Sequence, residues 1–178
     1  MTNHRAFTLI ELLVVIAIIT VLSSLGFTAI PMALNQAKKT QALTLAQGIA
    51  NGFISYLTEY RRWPSGIGPE VDSTTTYAML SGAVSSATAT LNTRNIIFLE
   101  FPNKFLNNRN PTLATTFTDP WKNDFQIRID HDYDEQILDL PDTRNSTGTV
   151  SINATAAIWS RGPKGPQETN QRNFISTW

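Results

Sequence analysis

Arg5-Ala6-Phe7-Thr8-Leu9-Ile10-Glu11-Leu12-Leu13-Val14-Val15-Ile16 decides how the rest of the chain is read. A short basic leader runs into an apolar segment that one carboxylate, Glu11, interrupts near its start. No charge follows between Leu12 and Ile30. About 20 apolar residues cover a bilayer core as helix, so the segment predicts a membrane-spanning α-helix. A charge inside such a helix costs on the order of 2.5–3.5 kcal/mol at the membrane centre. A carboxylate kept there is a candidate functional group, and its expected partner is a positive charge at similar depth.

Two plainer readings fit less well. An ordinary secretory signal has an apolar middle of roughly 7–15 residues ending in a small-x-small cleavage site. Here the run is longer, and Phe27-Thr28-Ala29 places a ring where a small residue is wanted. A plain N-terminal anchor satisfies the hydropathy but leaves Glu11 without a reason. Lys38 and Lys39 lie beyond the apolar run, so positive-inside bias orients the chain only weakly.

The segment Ala6-Phe7-Thr8-Leu9-Ile10-Glu11-Leu12-Leu13-Val14-Val15-Ile16-Ala17-Ile18 resembles the processing and membrane segment of type IV pilins and type II secretion pseudopilins. The resemblance implies that a prepilin peptidase cuts between Ala6 and Phe7 and methylates the new amine at Phe7. Phe7 would then be the first mature residue and Glu11 the fifth, where the family carries its glutamate. In the family that glutamate pairs with the N-terminal amine of a neighbouring subunit, so Phe7 and Glu11 are the expected assembly residues. The family commonly has Gly before the cut, and this chain has Ala6. Implied partners are further copies of the chain in a filament, the prepilin peptidase, the inner-membrane secretion or pilus assembly platform, and the lipid bilayer before assembly. The implied location is the inner (cytoplasmic) membrane, single-pass, with the C-terminal domain in the periplasm or outside.

Bulk properties agree with a structural role. The 178 residues carry 14 basic and 14 acidic side chains in no long block, which gives no electrostatic case for a nucleic acid partner. There is no cysteine, so stability outside the cytoplasm rests on packing, a metal or assembly rather than disulfides. Many type IV pilins close a C-terminal loop with a disulfide, so its absence leans toward the pseudopilins. The expected organisation is a leader at 1–6, a transmembrane or filament-core half-helix at 7–30, an amphipathic half at 31–62, and a small globular domain at 63–178.

After Pro31 the positions Ala42, Leu45, Ile49, Phe53, Tyr56 and Tyr60 recur in steps of three and four, one apolar helical face. Pro31 lacks a backbone donor and crowds the preceding turn, so a kink or local break is expected there. Pro64 bars the helical conformation at Trp63 and ends the helix. The Tyr60…Trp63-Pro64 segment resembles the helix end of major pseudopilins. Val71 to Thr93 holds at most one short helix, around Tyr77 to Leu80, and the short run Asn95 to Phe101 is ambiguous.

Thr118-Asp119-Pro120-Trp121-Lys122-Asn123-Asp124-Phe125-Gln126-Ile127 resembles the Asp-Pro-Trp-Gly-Asn-Pro-Tyr segment of major pseudopilins. Asp-Pro sets a turn, Trp121 is expected to plug a core, and Phe125, Ile127 and Ile129 alternate as a half-buried strand. Ile137, Leu138 and Leu140 read as a second strand forming a hairpin with the first. Val150, Ile152, Ala154 and Ala156 to Trp159 read as a third. The expected fold class is α+β, pilin-like: a long N-terminal α-helix packed on a small antiparallel β-sheet.

Candidate chemistry is sparse. Asp130, Asp132 and Asp134 match the first three ligands of an EF-hand loop, but Glu135 stands at the glycine position and Pro141 at the bidentate glutamate. A solvated acidic turn tip is the expected reading, and no metal or other cofactor is expected. The major pseudopilins bind Ca²⁺ in a C-terminal loop, whose counterpart here is Ile158 to Trp178. The family's aspartates are missing there, Glu168 is the only acid, and Arg161, Lys164 and Arg172 would repel a metal. That loop is expected to be held by amide hydrogen bonds and by Trp178 packing. His131 is the one histidine outside the leader, and neither a thiol nor a Gly-x-Ser-x-Gly elbow is present, so no catalytic residues are expected. The function expected is a structural subunit of a type II secretion pseudopilus or type IV pilus-like filament. The alternatives are a minor pilin with a ligand- or DNA-binding role and a membrane-anchored periplasmic enzyme.

Overall fold

A computed structural model describes residues 7–82, 89–107 and 115–178, leaving aside the side chains at 24–29. The leader, 1–6, lies outside the described residues. Two compact units are present, Met1–Ala37 and Lys38–Trp178.

A single 52-residue helix, α1 (Leu9–Tyr60), supplies most of the first unit and continues into the second. Pro31 sits inside it with helical residues on both sides, so the expected local break is absent. Breaking the helix there would orphan more backbone groups than the one donor that proline lacks.

In the second unit α1 buries Ala42, Leu45, Ala46, Ile49, Phe53 and Tyr56, while Tyr60 is half-buried. This is the apolar face anticipated from the spacing, widened by Ala46 one turn after Ala42. Arg61 then takes φ 59°, and its N–H bonds the Leu57 carbonyl, a left-handed C-terminal cap. Trp63 turns back to meet Phe53 edge-on at 5.9 Å and to stack over Tyr56 at 6.1 Å. Burial pushes the Tyr56 phenol up to about 12, and its hydroxyl donates to the Leu91 carbonyl at 2.6 Å.

Helix α2 (Ser73–Leu80) begins at Asp72, whose carboxylate accepts from the Thr75 N–H at 2.9 Å and the Thr75 hydroxyl at 2.8 Å. Losing an N-cap typically costs about 1 kcal/mol. Asp72→Ala is therefore expected to lower the melting temperature by roughly 3 °C in a domain of this size. An unchanged melt would show that the helix end is held by packing alone. Asn92 is fully buried and fully employed: its amide donates to the Met79 and Ile96 carbonyls and its oxygen accepts from Tyr60. Residues 95–101 form neither helix nor strand.

Seven short strands make three antiparallel sheets among the described residues. They are β1 (Leu106–Asn107), β2 (Thr116–Phe117), β3 (Gln126–Ile129), β4 (Ile137–Pro141), β5 (Thr149–Ile152), β6 (Ala156–Ser160) and β7 (Ile175–Ser176). The orders are β1-β2, β3-β6-β7 and β4-β5. The α+β, pilin-like expectation is met, and β3 shows the expected alternation of half-buried and buried residues.

Two pairings differ from expectation. The strand β3 pairs with β6, Ile127 opposite Ile158, and not with β4. The stretch 150–159, expected as one strand, is two: β5 pairs with β4, and β6 belongs to the other sheet. Burial gives the reason. Along β6, Ala156 and Ile158 join the core built on α1, while Ala157 and Trp159 join a second core with Ile137 and Leu140. A strand apolar on both faces needs cover on both, and the β4–β5 hairpin provides the second layer.

Candidate functional site

The described apolar side chains of unit Met1–Ala37 are exposed. Phe7, Leu9, Leu12, Val15, Ile19 and Leu22 are all exposed, the last at 64%. A helix apolar on every side needs lipid or other helices around it. Among the described residues no helix is long and apolar enough to cross a membrane. Beyond residues 24–29, Ile30, Met32 and Leu34 are exposed as well.

At the head of α1, Thr8 and Glu11 form a reciprocal pair. The Glu11 Oε2 accepts from the Thr8 N–H at 2.8 Å and from its hydroxyl at 2.7 Å. The Glu11 N–H in turn donates to the Thr8 hydroxyl oxygen at 3.3 Å. This is a capping box, which satisfies backbone donors that the first helical turn leaves open. Sequence reasoning missed Thr8, although the Thr8-Leu9-Ile10-Glu11 spacing is the Ser/Thr-x-x-Glu signature of such a cap. Glu11 thus has a role inside its own chain. Phe7 lies just before the cap and is exposed, whereas Ala6, the other half of the expected cleavage bond, lies outside the described residues.

In the second unit the Asp-Pro-Trp turn is an anchor. Asp119 is fully buried, and its Oδ1 accepts from the Trp121 and Asn123 N–H groups at 2.9 and 2.8 Å. Its Oδ2 accepts from the Ser160 hydroxyl at 2.6 Å, and the Ser160 oxygen accepts from the Gly162 N–H. Trp121, expected as a core plug, is only half-buried against the main core. Asn123 reaches across to donate to the Gly162 carbonyl at 2.9 Å. Gly165 has φ 55°, and a Cβ there would stand 2.2 Å from the Asn123 Oδ1. Gly165→Ala should therefore cost about 2 kcal/mol, roughly 5 °C in melting temperature. A wild-type melt for that variant would mean that Asn123 swings aside freely.

The C-terminal loop is held as its side chains suggested. Glu168 is buried, its Oε1 accepting from the Asn170 N–H and its Oε2 from the Asn173 amide, each at 3.0 Å. The Lys164 ammonium lies 3.7 Å from the same carboxylate, so the loop carries its own cation. Trp178 packs edge-on against Trp159 at 5.7 Å.

These contacts make the domain acid-sensitive. The Asn170 N–H holds Glu168 below its ordinary value of 4.5, against the opposing effect of burial. Asp142 is held below 3.8, first by the Arg144 N–H and then by the Asn145 amide. Burial pushes Asp72 up, but its bonds from Thr75 outweigh that and leave it below 3.8. Each folded-state pKa is depressed, so the stabilisation is complete above the ordinary values and is lost as pH falls through the lowered ones. Melting temperature should stay flat down to about pH 5 and then drop steeply below about pH 4. A Glu168→Gln variant should show a shallower drop; an identical profile would remove Glu168 from the account.

The carboxylates of Asp130, Asp132 and Asp134 converge, with one oxygen from each lying within 4.8 Å of the others. Asp130 is buried and the other two are exposed. His131 is exposed, its Nδ1 3.8 Å from Asp132.

The description of the prokaryotic N-terminal methylation motif matches residues 1–27. A fimbrial protein of Neisseria meningitidis serogroup A is 30% identical over 105 residues, covering 54% of this chain. The chain thus carries a prepilin-type N-terminal methylation motif and is similar to a type IV fimbrial protein. It spans 62% of the length of that fimbrial relative. No solved structure matches it. For a pilin-like chain, an outward-facing apolar helix headed by a single carboxylate is the region that most needs a partner.

Proposed function

We propose that this pilin-like chain is a structural subunit of a type II secretion pseudopilus or type IV pilus-like filament, assembled through α1. The carrying observation is the apolar surface of α1 from Leu9 to Leu22, exposed on all sides, in which Glu11 is the single charge. In lipid such faces gain little from helix contact, whereas in a bundle close packing replaces lipid. The prepilin peptidase removes the leader 1–6 by cutting between Ala6 and Phe7 and methylates the Phe7 amine. Glu11 then pairs with the Phe7 amine of a neighbouring copy as it leaves the bilayer for the filament. Residues 7–30 span the inner membrane once before assembly, 31–62 extend the helix, and 63–178 form the domain carried outside. The assembly platform of the inner membrane drives the transfer, and no catalytic step is assigned to the chain.

Intact mass and N-terminal determination on protein extracted from membranes test this directly. A chain beginning at N-methylated Phe7 is expected. One retaining Met1 or Thr2 would reduce the segment to a plain anchor, and one beginning near Ile30 would make it an ordinary secreted domain.

A further inference from the structure

We propose that the loop Asp130–Glu135 is a Ca²⁺ site, separate from the C-terminal loop that Lys164 and Glu168 close on themselves. The decisive observation is one oxygen. Asp130 is 7% exposed, its Oδ2 accepts from the Glu135 N–H at 3.1 Å, and its Oδ1 is buried with no hydrogen-bond partner among the described residues. A carboxylate oxygen withdrawn from water and given no donor is strongly disfavoured unless a cation or its water completes it. The same carboxylate is one of the three that converge within 4.8 Å, and the other two are exposed. Hard Ca²⁺ takes just such oxygens, spaced at alternate positions along a curled loop.

The backbone removes the objection raised by the sequence. Glycine is usual at the sixth position of an EF-hand loop because the chain turns sharply there. Glu135 holds that place and already has φ 63°, with Tyr133 at 64°, so the turn is made without glycine. Asp134 Oδ1 accepts from the Gln136 N–H at 2.8 Å, which fixes the third carboxylate and leaves its second oxygen for an ion. The seventh-position carbonyl of the pattern falls on Gln136. The bidentate glutamate of the twelfth position is replaced by Pro141, so water must fill those places. Three carboxylates without that clamp place the dissociation constant in the range of about 10⁻⁴–10⁻³ M typical of extracellular modules.

Binding would be felt at the end of α1. The Trp63 indole N–H donates to the Asp130 carbonyl at 2.6 Å, and the Trp63 backbone N–H donates to the Tyr133 hydroxyl at 2.7 Å. The loop is thereby tied to the residue that closes the aromatic core over Phe53 and Tyr56. Tyr133 and Trp63 also serve as antennae for a lanthanide in the site.

The test uses the full chain in detergent, titrated with Tb³⁺ under excitation of its aromatic residues. Sensitised emission should appear, should be displaced by millimolar Ca²⁺, and should resist the same concentration of Mg²⁺, which demands a tighter octahedral cage. Ca²⁺ at ten times its dissociation constant should raise the melting temperature by about 4 °C. Asp132→Asn and Asp134→Asn, both at exposed positions, should keep the metal-free melt and lose Ca²⁺ affinity at least tenfold. Emission that Ca²⁺ does not displace, or an Asp132→Asn variant with full affinity, overturns the site. Loss of the effect in Glu168→Gln but not in Asp132→Asn also overturns it, by placing the ion in the other loop.

Discussion

Glu11→Ala is expected to abolish filament formation while leaving the melt of the globular unit within about 1 °C of wild type. The two readouts separate because Glu11 lies in Met1–Ala37, whereas the packing that melts cooperatively lies in Lys38–Trp178. A bare alanine removes two things at once, the capping bonds with Thr8 and the negative charge offered to a neighbour's amine. Glu11→Gln distinguishes them, because glutamine can still reach back to the Thr8 N–H but carries no charge. If charge pairing drives assembly, Glu11→Gln should be as defective as Glu11→Ala, with filaments reduced at least tenfold by electron microscopy. Thr8→Ala removes the hydroxyl and spares the carboxylate, so it should still assemble. Wild-type filament yield from Glu11→Gln with failure in Thr8→Ala would mean that the cap, and not the charge, is what the filament needs.

Asp119→Ala is the substitution expected to cost the globular unit most, about 4 kcal/mol or roughly 12 °C in melting temperature. Its carboxylate is fully buried and accepts three hydrogen bonds, from Trp121, Asn123 and Ser160. Truncation leaves those three donors facing a void with no water to replace the lost oxygens, and a hydrogen bond to a charged group contributes about 1.5–3 kcal/mol. The damage also travels, since the Ser160 hydroxyl oxygen holds Gly162 and Asn123 holds the Gly162 carbonyl. Asp119→Asn, which keeps one acceptor oxygen, should lose about half as much. Thermal unfolding of both variants checks this, and a shift below 3 °C for Asp119→Ala would show that the turn is held by Pro120 and packing instead.

Legibility in the sequence followed the range of the interaction. The apolar face from Ala42 to Tyr56 and the end of α1 near Trp63 were readable because each depends on residues within a turn or two. The strand at β3 was readable for the same reason. Which strand it pairs with was not, because the partner of Ile127 lies thirty-one residues on, at Ile158, beyond a hairpin of similar composition. Ala156 and Ala157 look alike in the sequence and face opposite cores. At the head of the chain hydropathy marks the apolar run and Glu11, whereas the cap with Thr8 rests on a three-residue spacing that hydropathy does not carry. In the acidic loop the sequence argues against an ion twice, through Glu135 at the glycine place and Pro141 at the twelfth, and only φ at Glu135 shows that the turn forms without glycine.

The strand β6, covered on both faces, has a kinetic meaning. Neither hydrophobic layer can open by itself without dragging a wall of the other, so partial loosening gives no shelter to an intermediate. Its amide protons, at Ile158 above all, should be the last to exchange with deuterated solvent, and only through whole-domain opening. The edge of the same strand is closed by β7, which ends two residues before Trp178. Cleavage next to β7 would thus unzip the domain from the one strand that both hydrophobic layers share, and resistance there becomes a measure of the lifetime of the whole.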